Sequence, residues 1–98
     1  MRRREKTADV VIRFDTKESD GVEYRYELLM KEGDGVASWR VPLYSIRILM
    51  TDAYGESSSA KIGDVFADAG RAIMFYEKLV RNLATPIDLA YILEDEIS

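Results

Sequence analysis

The sequence predicts an α+β fold: a four-stranded antiparallel meander sheet followed by two C-terminal helices packed on one face. Two observations lead there. Apolar residues recur with period 2 from Val10 to about Val65, then with the 3.6 period of a helix from Ala69 onward. Turn chemistry separates the period-2 runs, at Asp20-Gly21, at Gly33-Asp34-Gly35 and at Asp52-Ala53-Tyr54-Gly55. Strands first and helices last is the order of an α+β protein rather than of alternating βαβ units. The 98 residues suffice for one core, since a chain of this size buries roughly 60–70% of its unfolded surface. We expect a flexible basic arm over residues 1–8 and a single domain over residues 9–98.

In the first strand Val10, Ile12 and Phe14 alternate with Val11 and Arg13, the pattern of a half-buried strand. Lys17-Glu18-Ser19-Asp20-Gly21 turns the chain into a hairpin, with Gly21 free to take positive φ. The second strand is the clearest. Val22, Tyr24, Tyr26, Leu28 and Met30 share one face and Glu23, Arg25, Glu27 and Lys31 the other, with only Leu29 out of pattern. Pro42 closes an irregular approach to the third strand, where Tyr44, Ile46, Ile48 and Met50 alternate with Ser45, Arg47, Leu49 and Thr51. Ser57-Ser58-Ser59 reads as a flexible turn into a short fourth strand, Ala60 to Val65, with Ile62 inward and Gly63 as its weak point.

Asp68 is placed to cap the first helix, whose Ala69, Ala72, Ile73, Tyr76, Leu79, Val80 and Leu83 form one stripe. Met74 falls opposite that stripe and Phe75 at its border, and Asn82 marks a stop. Thr85-Pro86-Ile87-Asp88 is the sharpest local signal. Thr85 as N-cap, Pro86 at the first helical position and Asp88 three residues after the cap satisfy amide groups that have no helical partner. Pro86, Leu89, Ala90, Leu93 and Ile97 make one apolar stripe and Ile87 with Tyr91 a second, so this helix is expected to be contacted on two sides.

The net charge of −4 is unevenly spread. Over residues 1–6, four cations against one carboxylate make a tip of +3, which leaves the other 92 residues at −7. An acidic body repels phosphate backbones and disfavours nucleic acid as a main partner. The chain holds no histidine and no cysteine. That removes the commonest general base, the commonest metal ligand, the thiol nucleophile and every disulfide. The carboxylates form no ligand spacing; Glu94-Asp95-Glu96, the densest group, points in different directions on a helix. We expect no enzyme, no cofactor and no metal. No apolar stretch approaches the ~20 residues that span a bilayer, and the absence of cysteine suits the cytoplasm.

Two helices cover one side of a four-stranded sheet. The other side is therefore expected to carry Arg13, Arg25, Arg47, Glu23 and Glu27 together with Val11, Leu29 and Leu49. It is either a solvated ladder of cross-strand ion pairs or a contact surface. Trp39 is either a plug for the end of the core or a binding anchor, and Met74 leaves apolar surface on the first helix. Tyr24 and Tyr26 belong to the core side rather than to a base-stacking platform. The candidate interaction surface is thus Val11, Arg13, Arg25, Leu29, Trp39, Arg47, Leu49 and Met74.

The run Thr85-Pro86-Ile87-Asp88-Leu89 through Ile92-Leu93-Glu94-Asp95-Glu96-Ile97, with Asn82 before it and Tyr44-Ser45-Ile46-Arg47-Ile48 in the sheet, resembles a family of short bacterial proteins. Found mainly in Gram-positive anaerobes, the family is known only as a domain of unknown function. The likeness covers roughly residues 22 to 97 in organisation. This chain has Ser45 where the family pattern has glycine and Asp88 where it has histidine, so no role of that histidine carries over. The resemblance implies a cytoplasmic bacterial protein and supplies no catalytic residue.

The function expected is a small non-enzymatic interaction or regulatory module that self-associates as a homodimer or other homo-oligomer, or binds another protein. The alternatives are a nucleic-acid accessory protein using the basic arm and the sheet arginines, and a small-molecule-binding domain.

Overall fold

A two-residue turn starts the sheet. The structure, a computed structural model, describes residues 9–32 and 42–97. β1 (Val10–Ser19) and β2 (Val22–Glu32) are joined by Asp20 and Gly21, both left-handed, at φ 51° and 79°. That is the mirror-image turn whose twist matches the twist of the flanking strands, and aspartate and glycine tolerate it best. β3 (Pro42–Thr51) pairs with β2 in unbroken register from Glu32↔Pro42 to Glu23↔Thr51. β4 (Ser57–Phe66) closes the sheet, and all neighbours are antiparallel in the order β1-β2-β3-β4, the meander predicted.

The serine run is strand rather than turn: Ser57, Ser58 and Ser59 stand opposite Thr51, Met50 and Leu49. The turn before it needs no further residues. Asp52 Oδ1 accepts from the amides of Tyr54 and Glu56, both at 2.9 Å, and Gly55 supplies a φ of 86°. Pairing therefore begins at once. Serine carries no apolar period, which is why the strand was not visible there.

α1 (Ala69–Arg81) begins at Asp68, whose carboxylate accepts from the Arg71 amide at 2.8 Å, and ends at Asn82. Beyond it Leu83 takes φ 52°, the Ala84 amide reaches back to the Leu79 carbonyl at 3.0 Å, and the Leu83 amide to Val80 at 3.2 Å. This paired helix stop reverses the chain in few residues. α2 (Pro86–Ile97) then opens with a reciprocal cap: Asp88 accepts from the Thr85 amide at 3.1 Å, and the Thr85 hydroxyl from the Asp88 amide at 3.3 Å. Thr85→Ala is expected to lower unfolding free energy by about 0.5–2 kcal/mol, with Thr85→Ser retaining most of it, in urea titrations of the two variants.

Both helices pack on the face carrying Tyr26, Leu28, Tyr44, Ile46 and Ile48. α1 contributes Ala72, Phe75, Tyr76 and Leu79, and α2 contributes Leu89. The buried arc of α1 is thus one i, i+3, i+4, i+7 set, and it brings Phe75 into the core, where its ring centroid lies 5.4 Å from that of Phe66. Ile73, expected in the stripe, is outside it and exposed. Both positions are apolar, so composition could not choose between them. Tyr26 fastens the helix connection to the sheet, donating its hydroxyl to the Ala84 carbonyl at 2.8 Å. Among the described residues, no helix is long and apolar enough to cross a membrane.

Candidate interaction surface

The sheet face turned away from the helices is decided at β1 by one extra residue. Val11 stands opposite Leu29, yet Arg13 stands opposite Leu28, so Ile12 is a bulge and the alternation slips by one. Arg13, expected on the far face, is therefore on the helix face. There it meets Glu77 at 2.9 Å and Asp15 at 3.4 Å, with its guanidinium 5.1 Å from the centre of the Tyr76 ring. Phe14 takes the far-face place instead, opposite Glu27.

At the centre of that face Glu27 sits between two arginines on adjacent strands. Arg25 Nε donates to Glu27 Oε2 at 2.7 Å, and Arg47 Nε to Oε1 at 2.6 Å, with Arg47 Nη2 also on Oε1. Glu27 is buried, at 6% exposure. Burial alone would raise the pKa of its carboxyl; the hydrogen bonds from Arg25 and Arg47 outweigh burial and hold it below the usual carboxylate value. The Arg25 guanidinium also lies 4.2 Å from the centre of the Phe14 ring. Of the charges expected on this face, as a solvated ladder or as part of a contact surface, Arg25, Glu27 and Arg47 form an ion triad around a buried carboxylate, with both arginine side chains partly exposed.

The face is also curved. β4 carries its own irregularity, since Tyr44 opposes Phe66 while Ile46 opposes Ile62, and Gly63 falls within that stretch. Asp9, beside the β1 edge, bonds Lys61 of the opposite edge strand at 2.6 Å. In a flat sheet those edges would be about 14 Å apart, three strand spacings. Bulges in both edge strands bend the sheet so that its far face is concave. Leu29, expected as exposed contact surface, is buried on this face at 3% exposure, and Ser45, its partner on β3, is fully buried beside it.

Of the eight candidate residues, the structure brings Val11, Arg25, Leu29, Arg47 and Leu49 to one face. Arg13 is on the other face, Met74 is exposed on α1, and Trp39 lies outside the described residues. Leu49 borders an open hollow of ≈ 560 Å³ with Thr16, Glu23, Arg25 and Thr51. The surface that stands out is the β1 edge, where Val10, Val11, Ile12 and Phe14 are 39–58% exposed; of these, the alternation in the sequence puts only Val11 on the surface and counts Val10, Ile12 and Phe14 as the buried side of the strand. The signal was present: apolar residues at 10, 11, 12 and 14 occupy both parities of a strand, and one core cannot take them all. The second stripe of α2, Ile87 and Tyr91, is exposed as well.

Two core tyrosines carry ionisable groups into the interior. The Tyr76 hydroxyl lies 2.7 Å from Asp15 Oδ2 and 3.1 Å from the Tyr26 carbonyl. Burial first, and then the bond to Asp15, raise its pKa; burial also pushes Tyr26 up to about 12. Unfolded tyrosines lose their protons near pH 10, whereas these two keep theirs in the folded state. The stability they contribute is complete below about pH 10 and is lost as pH rises through the folded values. Urea midpoints compared at about pH 9 and about pH 11 should fall in the parent protein, and fall less in Tyr26→Phe and in Tyr76→Phe.

Among the described residues there is no group of three or more acidic side chains placed to hold a metal ion. Fold and surface together define a small α+β protein, a curved four-stranded meander backed by two helices, with one long apolar edge. The chain belongs to a family of unknown function (DUF6514), whose model matches residues 6–98. That agrees with the resemblance to a domain of unknown function in the sequence. No curated protein and no solved structure matches the chain.

Proposed function

We propose that this chain is a small non-enzymatic interaction or regulatory module that works by self-association, in the cytoplasm of a Gram-positive bacterium. The observation that carries the reading is the β1 edge, ten residues long, with four large apolar side chains exposed. Long apolar edges are what monomeric sheet proteins avoid, because unpaired backbone groups invite another strand. The missing histidine and cysteine support a role other than catalysis. The bacterial, cytoplasmic setting rests on the resemblance in the C-terminal half and on the absence of cysteine.

A nucleic-acid partner is disfavoured by the same ion pairs that organise the sheet. Arg25 and Arg47 share the carboxylate of Glu27, and Arg13 bonds Glu77 and Asp15, so the three arginines expected to meet phosphates already have carboxylates beside them that oppose a phosphate. Light scattering coupled to size exclusion tests the reading. A dimer or larger species at high micromolar concentration supports it, and a strictly monomeric protein removes it.

A further inference from the structure

The β1 edge has a hydrogen-bonding parity and a charge pattern that together select a partner. The two-residue turn makes Ser19 and Val22 the closing hydrogen-bonded pair of the β1–β2 hairpin. Counting back by twos, Lys17, Asp15 and Arg13 direct their backbone groups toward β2, so Phe14, Thr16 and Glu18 direct theirs outward. The outward groups sit on a strand whose side chains are largely exposed. The other edge of the sheet differs, since α2 packs against β4.

On the helix face β1 reads Arg13, Asp15, Lys17, an alternation of sign. We propose that two copies of this chain pair antiparallel along β1, in a register centred on Phe14, and join their sheets into one continuous sheet. The proposal rests on the self-association reading and names its surface and geometry. In this register Arg13 of each copy stands opposite Asp15 of the other, and the two Phe14 rings, each 55% exposed in the single chain, meet at the two-fold axis on the far face. A register centred on Asp15 would oppose two carboxylates and set Arg13 against Lys17. One centred on Thr16 would satisfy Asp15 and Lys17 but leave each Phe14 opposite Glu18. Only the Phe14 centre satisfies both the charges and the aromatic surface. The bulge at Ile12 limits the new ladder to the stretch around residues 12–16, a short interface suited to reversible association.

Position 14 also makes the register testable, because on the two-fold axis it opposes itself. Phe14→Lys and Phe14→Glu should each be monomeric by light scattering at concentrations where the parent protein is a dimer. Mixed in equal amounts they should form a 1:1 heterodimer, with lysine facing glutamate, at an affinity weakened by added salt. Phe14 is 55% exposed at an edge strand and belongs to no buried cluster, so both variants should keep the parent circular dichroism spectrum. Phe14→Lys remaining a dimer overturns the register, and a tighter one assigns it to Thr16, where residue 14 would face Glu18. Two monomers that do not combine on mixing also overturn it. A dimer that ignores both variants but is lost in Ile87→Lys or Tyr91→Lys moves the interface to α2 and leaves self-association standing. A parent protein that stays monomeric removes both the register and the reading beneath it.

Discussion

Replacing Arg25 and Arg47 together by methionine is expected to lower the unfolding free energy at pH 7 by about 3–5 kcal/mol, the cost of leaving a buried charge without its partner. The charge left behind is Glu27, whose side chain is 8% exposed, whereas the two arginine side chains are 41% and 37% exposed. The asymmetry matters: either guanidinium can be rehydrated, and the carboxylate cannot. Single replacements leave one hydrogen-bonded arginine in place and should cost much less. The pH dependence identifies the cause. In the parent protein the folded pKa of Glu27 is depressed, so its contribution is present above the unfolded value of 4.5 and is lost as pH falls through the folded value. In the double variant burial acts without opposition and raises the folded pKa. Its deficit relative to the parent protein should therefore be largest at neutral pH and shrink on acidification. Adding Glu27→Leu should recover most of the loss at pH 7, because a well-packed apolar substitute for a buried ion triad is often neutral or stabilising. Urea titrations of the parent, double and triple variants decide it; a double variant within about 1 kcal/mol of the parent at pH 7 would show the triad to be structurally idle.

Phe75→Ala should cost about 3–5 kcal/mol, and its neighbour Met74→Ala should stay within about 0.5 kcal/mol. Phe75 is 2% exposed and packs against Phe66, while Met74 is 71% exposed. The loss at Phe75 combines the transfer of an aromatic ring with the cavity it leaves between α1 and the sheet. Against a total stability of about 5–15 kcal/mol for a domain of this size, it should lower the thermal midpoint by about 10 °C or more. Equal effects at the two positions would mean that α1 is rotated about its axis from the orientation described.

Much of the fold was legible locally. Tyr24, Tyr26, Leu28, Ile46 and Ile48 alternate in a way only one sheet face can satisfy, and they line the core as expected. Asp68, Asn82, Thr85 and Asp88 act within a few residues of themselves, so their capping roles were readable without any tertiary contact. The interaction surface was less legible. Its prediction assumed an uninterrupted strand and a flat sheet, and β1 is neither. Arg13 moved to the helix face through one bulged residue, Glu27 is enclosed by Arg25 and Arg47, and Leu29 is buried on the far face.

The division follows from the range of the interactions. Period, turn chemistry and helix caps depend on residues within a few positions of each other, and the amino-acid order alone determines them. Which parity of β1 faces the helices depends on how Val11 and Arg13 register against Leu29 and Leu28, and the bend on the irregularities that β1 and β4 take up against their neighbours. Those choices are made between strands, where a slip of one residue exchanges every side chain between core and solvent. Only the assembled sheet could show that Glu27 would be buried between two arginines and Phe14 left at an open edge.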